Sequence, residues 1–525
     1  MNLVRTYSLV RTDSEMAQNS WFWNGIGPNF VTGILLSLVN VLNYIDRYTP
    51  SSLISDLKSS FQFQEQWKAG FLQTTQFLAL TIIPPVIGVM GDRVSRKILV
   101  ICSLGFWTCS VLMSSFATSY WSFLGFQTMV GFGEAGFTTI APTLFPDLFH
   151  GKYLTLWLAA FYFAIPVGNG LGYIGASGIR NLASNVETAD ESWRWAIRFT
   201  CIPSSILAVI LIFCMKDPLR GTTRNDINYE TKKRKIIKSV GKSFIADLKT
   251  IFSIKTYVLA LFGMICMYFM TGALAWWGPT FMKEGCNNLK LTANASFEEW
   301  VCGKCDNETK EFYGHIDIYF GGTMLLAGIL GISIGTLLSA FLRPKYPFID
   351  PLIIGGGMFL AGFLLYGAFK SAASSITSAL MFTFIGTTFA CLNWAVVVDM
   401  SLYVVPASIR STATGVQTAI AHGFGDAGSP YVVGLIADML RQDFKTGNTT
   451  SSHVNTELTC SEDVDEAIAE FLSIQGALWI TVVMTFLSAL IFMFITKFVV
   501  ADRKKASAND LVEANSSGVT SISDY

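Results

Sequence analysis

Gly88-Val-Met-Gly-Asp-Arg-Val-Ser-Arg-Lys97 lies between two apolar runs without a single charge, Gly70 to Met90 and Ile98 to Phe116. A short cation-rich hairpin between runs long enough to cross a bilayer reads as a cytoplasmic loop under the positive-inside rule. Gly88 and Gly91 stand three apart, so they share a helix face and allow another helix to approach closely. Asp92 falls at the membrane edge, where an unpaired carboxylate is costly and needs a helix N-terminus or an arginine.

The composition fits this reading. Hydrophobic residues make up 51% of the 525 residues and charged ones 14%, with mean hydropathy +0.46; a soluble chain carries about 25% charged residues. Basic and acidic residues balance at 37 each, which gives no basis for nucleic-acid binding. No signal peptide is evident in residues 1–25, so the first span would serve as the insertion signal. Twelve apolar stretches of spanning length follow, near 28–56, 66–90, 97–116, 120–146, 152–179, 195–215, 256–283, 314–342, 350–369, 374–405, 409–440 and 470–500.

Loop charges orient the chain. The segment 216–255 holds eleven basic and four acidic residues, and further cations sit at Lys152, Arg343, Lys345, Arg410 and Arg503-Lys504-Lys505, all on one side of a twelve-span chain. The loops 284–313 and 441–469 are acidic and fall on the other side. Three glycosylation sequons, at Asn294, Asn307 and Asn448, lie in those two loops, as do Cys286, Cys302, Cys305 and Cys460. Cys302-Gly-Lys-Cys305 has zinc-like spacing without a second ligand pair nearby, so a disulfide among these four, of open connectivity, is expected and no metal. The expected organisation is a cytoplasmic tail 1–27, a six-helix half 28–215, a basic cytoplasmic linker 216–255, a second half 256–500 and a cytoplasmic tail 501–525. Two parallel six-span halves joined by a linker form a tandem repeat. Glycine and proline recur at matching places, in Pro166-Val-Gly-Asn-Gly170 of the fifth span and Gly425-Asp-Ala-Gly-Ser-Pro430 of the eleventh.

Charges within spans are the functional candidates. The first span carries Asn43-Tyr44-Ile-Asp46-Arg47-Tyr48, in which Asp46 and Arg47 are expected to neutralise each other in part. Glu134, in the fourth, lies about 20 Å along the helix from Trp121 and so near mid-membrane, a position suited to exchanging a proton. His422 and Asp426 are four apart on one face of the eleventh. The four histidines, at 150, 315, 422 and 453, make no nucleophile–base set or metal cluster, and no phosphate-binding glycine loop occurs, so neither an enzyme nor a cofactor is expected.

The 88–97 decapeptide resembles the loop between the second and third helices of the major facilitator superfamily, an all-α membrane fold of twelve transmembrane helices in two six-helix halves. That resemblance implies gating roles for Gly88, Gly91, Asp92, Arg93, Arg96 and Arg410, with Asp92 meeting the start of the eleventh span near Pro406 to Arg410 and holding an outward-open state. A narrower resemblance runs from the first span to the eleventh. Asn43 to Tyr48, Gly131-Phe-Gly-Glu134-Ala135, Phe161 to Gly168, Thr271 to Trp276, Asn393-Trp394-Ala-Val and His422 to Tyr431 are similar to the Spinster family of lipid transporters. It implies an alternating-access transporter of sphingolipids, sphingoid phosphates or lysophospholipids, often proton-coupled, working in late endosomes or lysosomes, with the plasma membrane as the alternative. The same resemblance implies substrate or proton roles for Asp46, Arg47, Glu134 and His422, and by extension for Asn43, Tyr44, Asn393, Trp394 and Asp426. The expected partners are a lipid, protons and the bilayer, with the chain acting as a monomer. A carrier of a small organic anion, or a non-transporting lipid sensor, is the rival reading. One departure stands out: the family usually has an arginine seven residues before the glutamate, and here that position is Gln127.

Overall fold

The computed structural model describes residues 28–91, 94–149, 152–184, 191–215, 246–292, 315–406, 409–445 and 462–516. Its helices in the first half are α1 (Pro28–Ser52), α2 (Ile54–Phe61), α3 (Gln66–Ile82), α4 (Pro84–Gly91), α5 (Arg96–Ser114), α6 (Tyr120–Leu148), α7 (Lys152–Tyr162), α8 (Ala164–Ala183) and α9 (Ser192–Cys214). The second half holds α10 (Lys255–Thr292), α11 (Ile316–Leu342), α12 (Ile349–Ser371), α13 (Ile376–Cys391), α14 (Asn393–Tyr403), α15 (Arg410–Phe424), α16 (Ser429–Lys445) and α17 (Glu462–Ile495), followed by α18 (Val499–Ser516).

Among the described residues, ten helical stretches are long and apolar enough to cross a membrane. The other two expected spans are present as helices too. Tyr120–Leu148 is a single long helix that carries Gln127 and Glu134, and the eleventh span is two helices, α15 and α16, rather than one. The second break has a local cause. Pro430 has no N–H to give, and the Ala427 N–H reaches back five residues to the His422 carbonyl at 3.0 Å, a wide turn of the kind that kinks helices. Proline also divides the second span at Pro84 and follows the division of the fifth at Pro166.

Within the first half α1 packs on α8, α5 on α6, and α3 on α6; in the second, α10 and α12 pack on α17 and α11 on α13. Two seams join the halves, α3 with α16 and α8 with α11. At the second seam the backbones nearly touch: a Cβ on Gly170 would lie 2.7 Å from the Gly321 carbonyl oxygen.

Polar links between the halves gather at the end that the loop charges assign to the outside. There Lys58 pairs with Glu470 at 2.6 Å, and Arg441 Nη1 donates to the Gln64 carbonyl at 3.1 Å. Lys283 pairs with Asp317 at 2.9 Å and donates to the Ser52 carbonyl at 3.0 Å. At the opposite end several contacts join elements of the same half. Arg96 donates to the Thr143 carbonyl at 2.9 Å, Arg343 pairs with Asp350 at 2.7 Å, and Asp502 of α18 accepts the Thr256 N–H at 2.9 Å.

Candidate functional site

The buried centre of the first half is built on one ion pair. Arg47 sits one turn after Asn43 on α1, so the two share a face. Arg47 Nη2 reaches Glu134 Oε2 of α6 at 3.1 Å and Asn43 Oδ1 at 3.1 Å, while Nε reaches the same Glu134 oxygen at 3.3 Å. Glu134 is fully buried and Arg47 nearly so. The guanidinium lies over the rings of Tyr44, 4.6 Å from its centroid, and Phe77 at 5.4 Å. Glu134 Oε1 has no hydrogen-bond partner among the described residues, and the buried Gln76 side chain lies beside it.

Asp46 is not part of this arrangement. Adjacent residues on a helix point about 100° apart, so the turn that aims Arg47 at Glu134 aims Asp46 toward Thr200 and Trp107, between α1, α5 and α9. The expected neutralisation of Asp46 by Arg47 is therefore corrected: the arginine's carboxylate partner is Glu134, 87 residues away. Gln127 is buried, two turns from Glu134 on α6 and about 10 Å along it.

A second pair faces the first from the other half. His422 Nδ1 and Asp426 Oδ2 are 2.6 Å apart across the break in the eleventh span. The imidazole lies 4.5 Å from the Tyr268 ring, which meets Trp394 edge-on at 5.3 Å. Asp426 is close enough to Arg47, Tyr44 and Tyr48 to act on them electrostatically, which brings the two pairs into one neighbourhood. Asn393 does not join it. It is fully buried beside Gly357 of α12, and neither of its polar atoms has a partner among the described residues.

Of the expected gating residues, Gly88 and Gly91 fall in α4, while Asp92 and Arg93 lie outside the described residues, and with them the expected contact to the eleventh span. Arg410 Nε donates to the Val405 carbonyl at 3.1 Å. Asn294, Asn307, Asn448, Cys302, Cys305 and Cys460 also lie outside, and Cys286 falls in α10. Sequence reasoning missed Gln76, Phe77 and Tyr268. The signal for the first was available: Gln73 and Gln76 are amides within an uncharged span.

Two helical halves meeting along paired seams, each with a charge pair buried near its centre, have the architecture of a membrane transporter. Residues 36–430 match the family model described as Major Facilitator Superfamily. The protein spinster of Drosophila melanogaster is 33% identical over 524 residues, which cover 94% of this chain and 79% of that one. Spinster homolog 1 of Xenopus tropicalis is 35% identical, covering 78% and 73%. A crystal structure titled as a bacterial homolog to the human lysosomal transporter Spinster, inward-facing and unoccupied, superposes with a TM-score of 0.73 at 17% identity, covering 91% of this chain and 99% of that one. The chain belongs to the Spinster family of the major facilitator superfamily.

Proposed function

We propose that this transporter carries an amphiphilic lipid, of the sphingolipid or lysophospholipid kind, and that Glu134 couples its movement to protons. The observation that supports this most is the Arg47–Glu134 pair itself. Arg47 is the cation of the buried centre, its charge is already matched, and it is walled by Tyr44 and Phe77. A polar centre with apolar walls suits a headgroup and the start of a chain. An anionic headgroup and the Glu134 carboxylate compete for the same guanidinium. Protonating Glu134 releases Arg47 to a phosphate, and losing the proton takes Arg47 back. His422 and Asp426, with Tyr268 and Trp394, would complete the site from the other half. Gln127, in place of an arginine, leaves this wall without a second fixed cation and inclines the site toward zwitterionic headgroups.

Late endosomal or lysosomal membranes are the proposed location, where an acidic lumen would supply the proton gradient. The test is uptake into liposomes of a panel of lysolipids and sphingoid bases, with and without a pH gradient. Gradient-driven uptake of a lysolipid that Glu134→Gln abolishes while sparing exchange at equal pH supports the reading. Uptake of a sugar or small organic anion with no lipid transport overturns it, and lipid binding without counterflow would mark a sensor.

A further inference from the structure

At the outer end of the seam between α3 and α16, both carboxylate oxygens of Asp438 accept backbone N–H groups. Oδ1 takes Gln66 N at 2.8 Å and Oδ2 takes Trp67 N at 2.8 Å. These are the first two donors of α3, which no residue within the helix can satisfy. Three helices solve that problem locally, with Ser95 capping α5, Ser119 capping α6 and Ser375 capping α13, and α10 takes its cap from Asp502 of its own half. At the head of α3, Glu65 makes no side-chain cap, and the role falls to a residue 372 positions away in the other half. A helix capped across the boundary between two moving bodies is capped in one state only.

The surroundings make the contact a shaped one. A Cβ on Gly70 would lie 2.1 Å from the Pro430 carbonyl oxygen, and one on Gly434 would lie 2.6 Å from that of Gln66. Glu470 adds a second layer by accepting Lys58 Nζ at 2.6 Å and Gln66 Nε2 at 2.8 Å. A cavity of about 480 Å³ lies beside this second layer, lined by Lys58, Gln64, Arg441 and Glu470 among others.

We propose that this clasp is the outer gate of the transport cycle and that Asp438 is its locking residue, capping α3 while the outer end is shut and leaving it when that end opens. The proposal does not depend on which substrate is carried.

Hydrogen–deuterium exchange of the full chain in lipid nanodiscs tests it. Asp438→Asn keeps one acceptor and loses the charge. Peptides covering 66–72 and 430–440 should then exchange about tenfold faster, within the range for a partly buried charge at a helix terminus. Glu65→Gln, a neighbour that pairs with Lys68 in its own half at 2.8 Å, should leave those peptides as they are. Gly70→Ala changes no charge and wedges the seam, so it should expose the same peptides and serves if Asp438→Asn fails to fold. Unchanged exchange there in folded Asp438→Asn or Gly70→Ala protein overturns the proposal. So does faster exchange spread evenly through both halves, which would mark Asp438 as a general stability residue.

Discussion

The two halves each place one charge pair at the centre, and the pairs are built differently. Arg47–Glu134 joins two helices, is almost wholly shielded from solvent, and uses a cation that stays charged. His422–Asp426 spans one turn of a single broken helix, leaves the histidine side chain 31% exposed, and uses a cation that is charged only when protonated. Breaking the first pair leaves a charge stranded in a low-dielectric interior. Breaking the second by losing Asp426 leaves a histidine that water can reach and that can shed its proton. Under the proposed function the first pair would serve both architecture and coupling, and the second tuning.

The comparison is broken most directly at Arg47. Arg47→Ala strands Glu134 and should cost about 3–5 kcal/mol of stability, read as a lowered thermal midpoint of purified protein. Adding Glu134→Gln to it should recover much of that loss without recovering transport, since the stranded charge is gone but the site is too. A double variant no more stable than Arg47→Ala alone would show that packing over Tyr44 and Phe77, not charge, is what the arginine supplies.

Glu134→Gln alone keeps a hydrogen-bond acceptor for Arg47 and should cost less, about 1–3 kcal/mol. It should abolish pH-driven uptake and spare exchange at equal pH. Uptake by this variant that still follows the gradient would move the coupling role elsewhere, with Asp426 the next group to test.

Opposite this pair, His422→Gln should cost about 0.5–1.5 kcal/mol, because the glutamine amide can still donate to the buried Asp426. Transport should weaken but persist. A stability loss as large as that of Arg47→Ala would erase the distinction drawn here between the two pairs.

Gln127→Arg should have the smallest effect on stability and a visible one on selectivity. A second cation two turns from Glu134 should shift preference toward phosphate-bearing lipids in a competition assay. Unaltered selectivity would leave Gln127 as packing.

Much of the site was legible from the chain itself. Arg47 and Glu134 stand out because charges are rare in apolar spans. Their partnership was not, and pairing Arg47 with its sequence neighbour Asp46 was wrong, because adjacency along a helix turns side chains apart. The outer clasp was harder still. Lys58, Asp438, Arg441 and Glu470 each read as an ordinary charge near a span end, and nothing in their spacing says that they converge.

The sequence by itself marked the apolar spans, the places where glycine and proline break or thin a helix, and the intramembrane charges. Those follow from local chemistry: hydrophobic length, the missing proline N–H, the cost of burying a charge. Only the tertiary structure decided which carboxylate meets Arg47, where Asp46 turns, and that α3 takes its cap from the other half. Each of these depends on the rotation of one helix relative to another far away in the chain, which is set by packing along the seams and leaves no local trace in the residues that it joins.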